Sequence, residues 1–210
     1  MSGRHRKCIA AASYPVLASI ALVAGCTELP PFDQLLPADL DPSLAYVYNH
    51  ADSFAQARDD PLSDVTAGTV KEDLESLSGC WGAYVADVAK GDAPIRVDEY
   101  DLLVFEAETH RLTAWNLENY GGLAPIVVEQ SGNYAITHGS RIEFTITLMR
   151  AYNPLSRQYD TFTPSADGSM PPSFQWPATL SQGHLKLAMG DSDSAPGSAD
   201  LVYTRFDCAH

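Results

Sequence analysis

From Gly79 onward the chain alternates apolar and polar residues with a period of two, and this pattern decides the fold class. The clearest stretch runs from Arg141 to Leu148. It is read as a strand with Ile142, Phe144, Ile146 and Leu148 facing inward and Arg141, Glu143, Thr145 and Thr147 facing out. Leu185, Leu187 and Met189 repeat the alternation. Strand-like runs fall at 80–88, 99–107, 110–117, 125–130, 133–138, 141–149, 158–163, 173–180, 183–189 and 200–207. Turn residues separate them, among them Gly91-Asp92, Gly121-Gly122, Ser131-Gly132, His138-Gly139, Asn153-Pro154, Asp167-Gly168 and Gln182-Gly183. Short, evenly spaced strands with Gly-rich turns predict an antiparallel sandwich or barrel. No βαβ alternation and no internal repeat competes with that reading.

The residues before Gly79 are of a different kind. Arg4-His5-Arg6-Lys7 makes a basic start, and an apolar stretch from Cys8 to Ala24 follows, interrupted by Ser13, Tyr14, Pro15 and Ser19. This is a secretory signal layout, too short and too interrupted for a membrane span. Leu22-Val23-Ala24-Gly25-Cys26 resembles the bacterial lipobox. The resemblance implies that residues 1–25 are a signal peptide, that Cys26 is lipidated and becomes the first residue, and that the chain contacts the membrane through that lipid. Several acyl chains are needed because one binds only marginally. Thr27, in place of Asp, resembles the enterobacterial pattern for outer-membrane sorting, so the expected location is the cell envelope, lipid-anchored at the outer membrane or periplasmic face. The alternatives are an ordinary signal peptide or an uncleaved anchor.

Residues 26–41 hold Pro30, Pro31 and Pro37 with Asp33, Asp39 and Asp41, and read as a lipidated, solvated tether. Residues 42–78 read as a helical lead. Asp41 can cap, Pro42 suits the first helical position, and Leu44, Val47, Tyr48, Ala51, Phe54 and Ala55 follow at helical spacing. A second short helix is signalled by Thr69-x-x-Glu72 with Val70, Leu74 and Leu77. Its stripe either docks on the β domain of 79–210 or serves a partner.

Charge narrows the function. The chain carries 13 Lys+Arg and 27 Asp+Glu, a net of -14, and without its first 25 residues 10 basic and 27 acidic side chains remain. Such a balance excludes nucleic acid as a partner and electrostatic adhesion to anionic lipid. It is uneven, since residues 27–78 alone hold 11 acidic and 2 basic side chains.

Gly79-Cys80-Trp81 opens the first strand after a short helix, and Arg205 lies in the last strand, two residues beyond Tyr203. This Gly-x-Trp start with a late Arg resembles the lipocalin (calycin) family. The stretch from Asn133 to Leu148 is similar to the mid-barrel hairpin of bacterial lipocalin-like domains. The resemblance implies an eight-stranded up-and-down barrel over 79–208, with the Arg packed across the Trp. In such a barrel the first and last strands pair antiparallel, which brings Cys80 beside Cys208. A register with the two Cys opposite each other places Trp81 opposite Asp207 and Arg205 on the diagonal. Once Cys8 has left and Cys26 is acylated, Cys80 and Cys208 are the remaining pair, read as a disulfide. A free pair or a metal pair is the alternative, although two Cys alone make a poor zinc site.

Catalytic and metal motifs are missing. His5, His50, His110, His138, His184 and His210 lack metal-ligand spacing, and there is no His-Glu-x-x-His, Gly-x-Ser-x-Gly or phosphate-binding loop. Asp191-Ser192-Asp193 begins like a calcium loop, but Ala195-Pro196-Gly197 breaks it. Glu106 and Glu108 near His110 read as hairpin surface charges. No enzymatic activity, cofactor or metal is therefore expected. Two functions remain. One is binding of a small hydrophobic or amphiphilic ligand inside the barrel, with Phe144, Ile146, Leu185, Leu187 and Tyr203 as possible lining. The other is an interaction or structural lipoprotein whose barrel is filled by its own side chains.

Overall fold

A computed structural model describes residues 32–55, 74–89, 96–120, 124–137, 141–164, 173–181, 183–188 and 201–209. The described strands are β1 (Gly79–Ala89), β2 (Arg96–Glu106), β3 (Arg111–Asn119), β4 (Ile126–Thr137), β5 (Arg141–Asn153), β6 (Gln158–Phe162), β7 (Ser173–Ser181), β8 (His184–Leu187) and β9 (Leu201–Phe206). All pairings between these strands are antiparallel, and β1–β9 and β4–β5 contacts close the sheet on itself. Closure removes the exposed edges that an open sheet would present.

Nine strands make eight staves. Phe162 of β6 pairs with Met149, and Ser173 of β7 pairs with Thr145, so β6 and β7 lie end to end along β5. The result is a closed eight-stranded antiparallel barrel with one stave in two pieces. The ten expected runs reduce to nine because 125–130 and 133–138 are one strand, β4. Ser131-Gly132 is not the turn that Gly suggested. A Cβ at position 132 would run into the Thr145 carbonyl and come within 2.9 Å of Ile146 Cα. Glycine is there because two backbones meet, not because the chain reverses.

That meeting point carries a β-bulge. Ser131 pairs with Leu148 while Gly132 pairs with Ile146, so Thr147 is the extra residue on β5. Its hydroxyl donates to the Ser131 carbonyl at 3.2 Å. Ile142, Phe144 and Ile146 are buried, whereas Leu148 is 36% exposed. The expected inward position of Leu148 is thus overturned: one inserted residue moves every later even-numbered side chain to the other face.

Two apolar cores result. The inner core fills the barrel with residues that include Trp81, Leu103, Phe105, Leu112, Tyr134, Phe144, Leu185, Leu187 and Tyr203, and Leu77 joins it from the short 3-10 turn Leu74–Leu77. The outer core lies against the outside of β1, β2, β3 and β4 and contains Leu44, Val47, Phe54, Leu102, Trp115, Leu117 and Val127.

The lead supplies the cover of the outer core. Helix α1 (Pro42–Asn49) starts where Asp41 accepts from the Ser43 and Leu44 amides, at 2.8 and 3.3 Å. The helical stretch breaks at His50, and α2 (Ala51–Phe54) follows, rather than one continuous helix. Asn49, His50 and Asp52, all weak helix formers, flank the break. Val47 and Phe54 sit over Gly82, where a Cβ would approach both within 2.8 Å. Residues 32–41, expected as solvated tether, instead lie on the barrel. Phe32 opens a 3-10 turn (Phe32–Gln34), and Phe32, Leu36 and Leu40 pack against the outer core. The expected helix start at Thr69-x-x-Glu72 and the tether residues before Phe32 fall outside the described residues.

Candidate functional site

The barrel seam joins β1 to β9. Cys80 pairs with Phe206, Trp81 with Arg205 and Gly82 with Thr204. The register therefore differs by two residues from the expected one: Arg205, not Asp207, lies directly opposite Trp81. Parity is unchanged, because a shift of two returns each side chain to its own face. Cys80 and Cys208 form a disulfide on the diagonal, with Cα atoms 5.3 Å apart.

Arg205 reaches back over the barrel end. Its guanidinium lies 5.6 Å from the Trp81 ring centre and donates to the carbonyls of Ser78 (2.7 Å) and Ser76 (3.5 Å). Trp81 Nε1 donates to the Leu77 carbonyl at 2.8 Å. These bonds tie carbonyls at the end of the 3-10 turn to the last strand. Gly79, at φ +116, makes the bend from that turn into β1, a conformation that favours glycine. On the outside, the Ser43 hydroxyl accepts from the Ala209 amide at 3.0 Å and sits 3.8 Å from Cys80 Sγ. One end of the barrel is thus latched inside by Arg205 and outside by the disulfide and α1.

The five proposed lining residues all belong to the inner core. Phe144 and Leu185 are 0% exposed, Leu187 1%, Tyr203 3% and Ile146 6%. They pack against one another's neighbours with almost no surface open to water. Within that core the Tyr134 hydroxyl is buried with no hydrogen-bond partner among the described residues, and burial raises its pKa. Its ring meets Phe105 edge-on at 5.0 Å.

Toward the other end the interior turns polar. Asp101 is buried and accepts from Asn116 Nδ2 at 2.9 Å. Glu99 pairs in register with Glu118, whose carboxylate accepts from the Tyr120 hydroxyl at 2.5 Å. Burial, and then the negative charges of Asp101 and Glu99, hold the Tyr203 phenol well above its ordinary pKa. The sequence reading did not single out these acids. The signal was parity: Asp101 and Glu99 alternate onto the face of Leu103 and Phe105.

Among the described residues no group of three or more His, Cys, Asp or Glu is arranged to hold a metal, and no helix is long and apolar enough to cross a membrane. Glu106 accepts from the Thr109 hydroxyl (2.7 Å), and the His110 carbonyl accepts from the Tyr134 amide (2.9 Å), so both take part in the β2–β3 turn region. Cys26, His138 and the Asp191–Asp193 stretch lie outside the described residues. The chain is thus a closed eight-stranded barrel consistent with a lipocalin-like fold. The sequence matches no protein-family model and no curated protein.

Proposed function

We propose that this protein is a lipid-anchored, extracytoplasmic, non-catalytic lipoprotein whose closed barrel is a scaffold that acts through its outer surface. The observation that carries the reading is the barrel interior, where the side chains that would line a pocket are at most 6% exposed. Small eight-stranded barrels are filled by side chains in this way. The lipid anchor rests on the lipobox-like Leu22–Cys26, and the disulfide fits an oxidising compartment.

A second reading, a small hydrophobic or amphiphilic ligand inside the barrel, is favoured by the orphan Tyr134 hydroxyl, since a buried donor without a partner costs stability that a ligand acceptor would restore. One experiment separates the two. The full chain, extracted from its host membrane in mild detergent and equilibrated with total lipid extract, is weighed by native mass spectrometry. The scaffold reading expects the mass of the acylated chain alone. A stoichiometric non-covalent hydrophobe would overturn it in favour of the ligand.

A further inference from the structure

Helix α1 is unusual for its setting. A surface helix in a water-exposed domain normally shows charged residues on its outer face. The eight residues of α1, Pro-Ser-Leu-Ala-Tyr-Val-Tyr-Asn, hold no charge, in a chain with a net of -14. Leu44 and Val47 face the barrel, and Tyr46 is left 42% exposed. The Tyr46 ring stacks on His50 at 4.1 Å and on Phe206 at 5.5 Å, so an aromatic surface spans α1 and the seam. By contrast β5 exposes Arg141 and Thr145, and β7 exposes Ser173 and Gln175.

The second observation is a length. Phe32 is already docked, its ring 5.7 Å from Tyr48 at the end of α1. Six residue steps separate it from Cys26. Fully extended they span at most about 20 Å, less than the roughly 36 Å of an eleven-residue strand such as β1. An anchor of that length does not let the barrel turn an arbitrary side to the bilayer. It keeps the α1 side close.

We propose that the uncharged, tyrosine-bearing outer face of α1 rests on the lipid bilayer that carries the Cys26 anchor, held there by the short span to Phe32, with β5 and β7, across the barrel from β1 and β2, turned away. The inference rests on the lipoprotein reading given above. Tyrosine suits the site because its ring is apolar and its hydroxyl stays wet at a headgroup interface. Charge limits the contact: α1 itself carries none, but Asp39 and Asp41 before it and Asp52 after it are repelled by anionic headgroups, which confines the contact to the ridge around Tyr46.

The test is oxidative side-chain footprinting of the full acylated chain in phosphatidylethanolamine–phosphatidylglycerol vesicles, against Cys26→Ala in the same buffer. Intact mass first reports the acyl chains. Tyr46 labelling is expected to fall several-fold on vesicles while labelling of Leu148, 36% exposed on β5, stays unchanged. A Gly/Ser insertion of about 20 residues after Pro30, a coil spanning roughly 25 Å, is expected to return Tyr46 to the Cys26→Ala level. A chain without acyl mass overturns the anchor and this orientation together. An acylated, vesicle-bound chain with unchanged Tyr46, equal loss at Leu148, or protection that survives the insertion overturns the orientation alone.

Discussion

The two cores are built from the same kinds of side chain but are enclosed by different means. The inner core is surrounded by the sheet that its own residues help to form, so closing the barrel and burying Phe144, Leu185 and Leu187 are one event. The outer core has only half a container. Leu102, Trp115 and Leu117 come from the barrel wall, and the lid over them is the lead of residues 32–55, joined at one end to the disulfide and the C-terminal strand. The difference teaches where cooperativity resides. Damage inside should unfold everything, whereas damage outside should loosen a lid over an intact barrel.

The largest effect is expected from Phe144→Ala. The side chain is 0% exposed and lies against Trp176, with ring centres 6.0 Å apart, and truncation should cost about 3–5 kcal/mol. Urea unfolding followed by circular dichroism and by Trp fluorescence should shift together. Separate transitions for the two probes would show that the inner core is not one unit.

Next comes the double change Cys80→Ala with Cys208→Ala. The bridge spans a sequence separation of 128 residues, so the chain-entropy model gives roughly 4–5 kcal/mol, with about 2–5 the usual range on removal. The bridge also joins the lid to the seam, since Ser43 binds Ala209 next to it. Hydrogen exchange should therefore speed up in α1 more than in β4 and β5. Uniform acceleration would erase the distinction between lid and barrel.

The same contrast explains which parts of the fold were legible in the sequence. The period-two run that opens β5 announces itself, because a half-buried strand must alternate. The Asp41-Pro42 helix start was readable because both residues have one local role. The seam partners were readable in kind, but the register was two residues off, since alternation fixes parity and not offset. Leu148 was placed inside because nothing in Thr147 marks a bulge; the cause is the approach of β4 to β5 at Gly132, which is tertiary. Residues 32–41 read as tether because Pro and Asp outweighed Phe32, Leu36 and Leu40. The core those three cover is made of residues remote in sequence. Interior acids Glu99 and Asp101 were legible through parity alone.

A smaller effect is expected from Arg205→Met at the junction of the two regions. The substitution keeps an apolar stem over Trp81 but removes the bonds to the Ser76 and Ser78 carbonyls and the cation–π contact. Arg205 is exposed, so the loss should be about 1 kcal/mol. Exchange of the Trp81 indole proton, which bonds Leu77, should rise if the latch orders the 3-10 turn. Unchanged indole exchange would make Arg205 a bystander.

The smallest perturbation is alkaline pH, and it probes both cores without a mutation. Tyr84 and Tyr100 on the outer wall stack at 4.9 Å. Their phenols are raised by burial first, with further contributions from Asp98 and from neighbours that include Asp52 for Tyr84 and Tyr48 for Tyr100. Tyr134 and Tyr203 in the inner core are raised too, again with burial first. The folded values lie above the unfolded value near about 10, so the folded state holds its phenol protons more tightly. Their contribution to stability is complete below about pH 10 and is lost as pH climbs through the raised folded values, because the unfolded chain releases those protons first. Tyrosinate absorption should accordingly rise in two stages. The outer pair, under a lid that opens locally, should ionise while far-ultraviolet circular dichroism still reports a folded barrel, and Tyr134 and Tyr203 should ionise only as that signal collapses. Simultaneous ionisation of all four would mean that lid and barrel unfold as one unit, and the division between the two cores would be structural but not energetic.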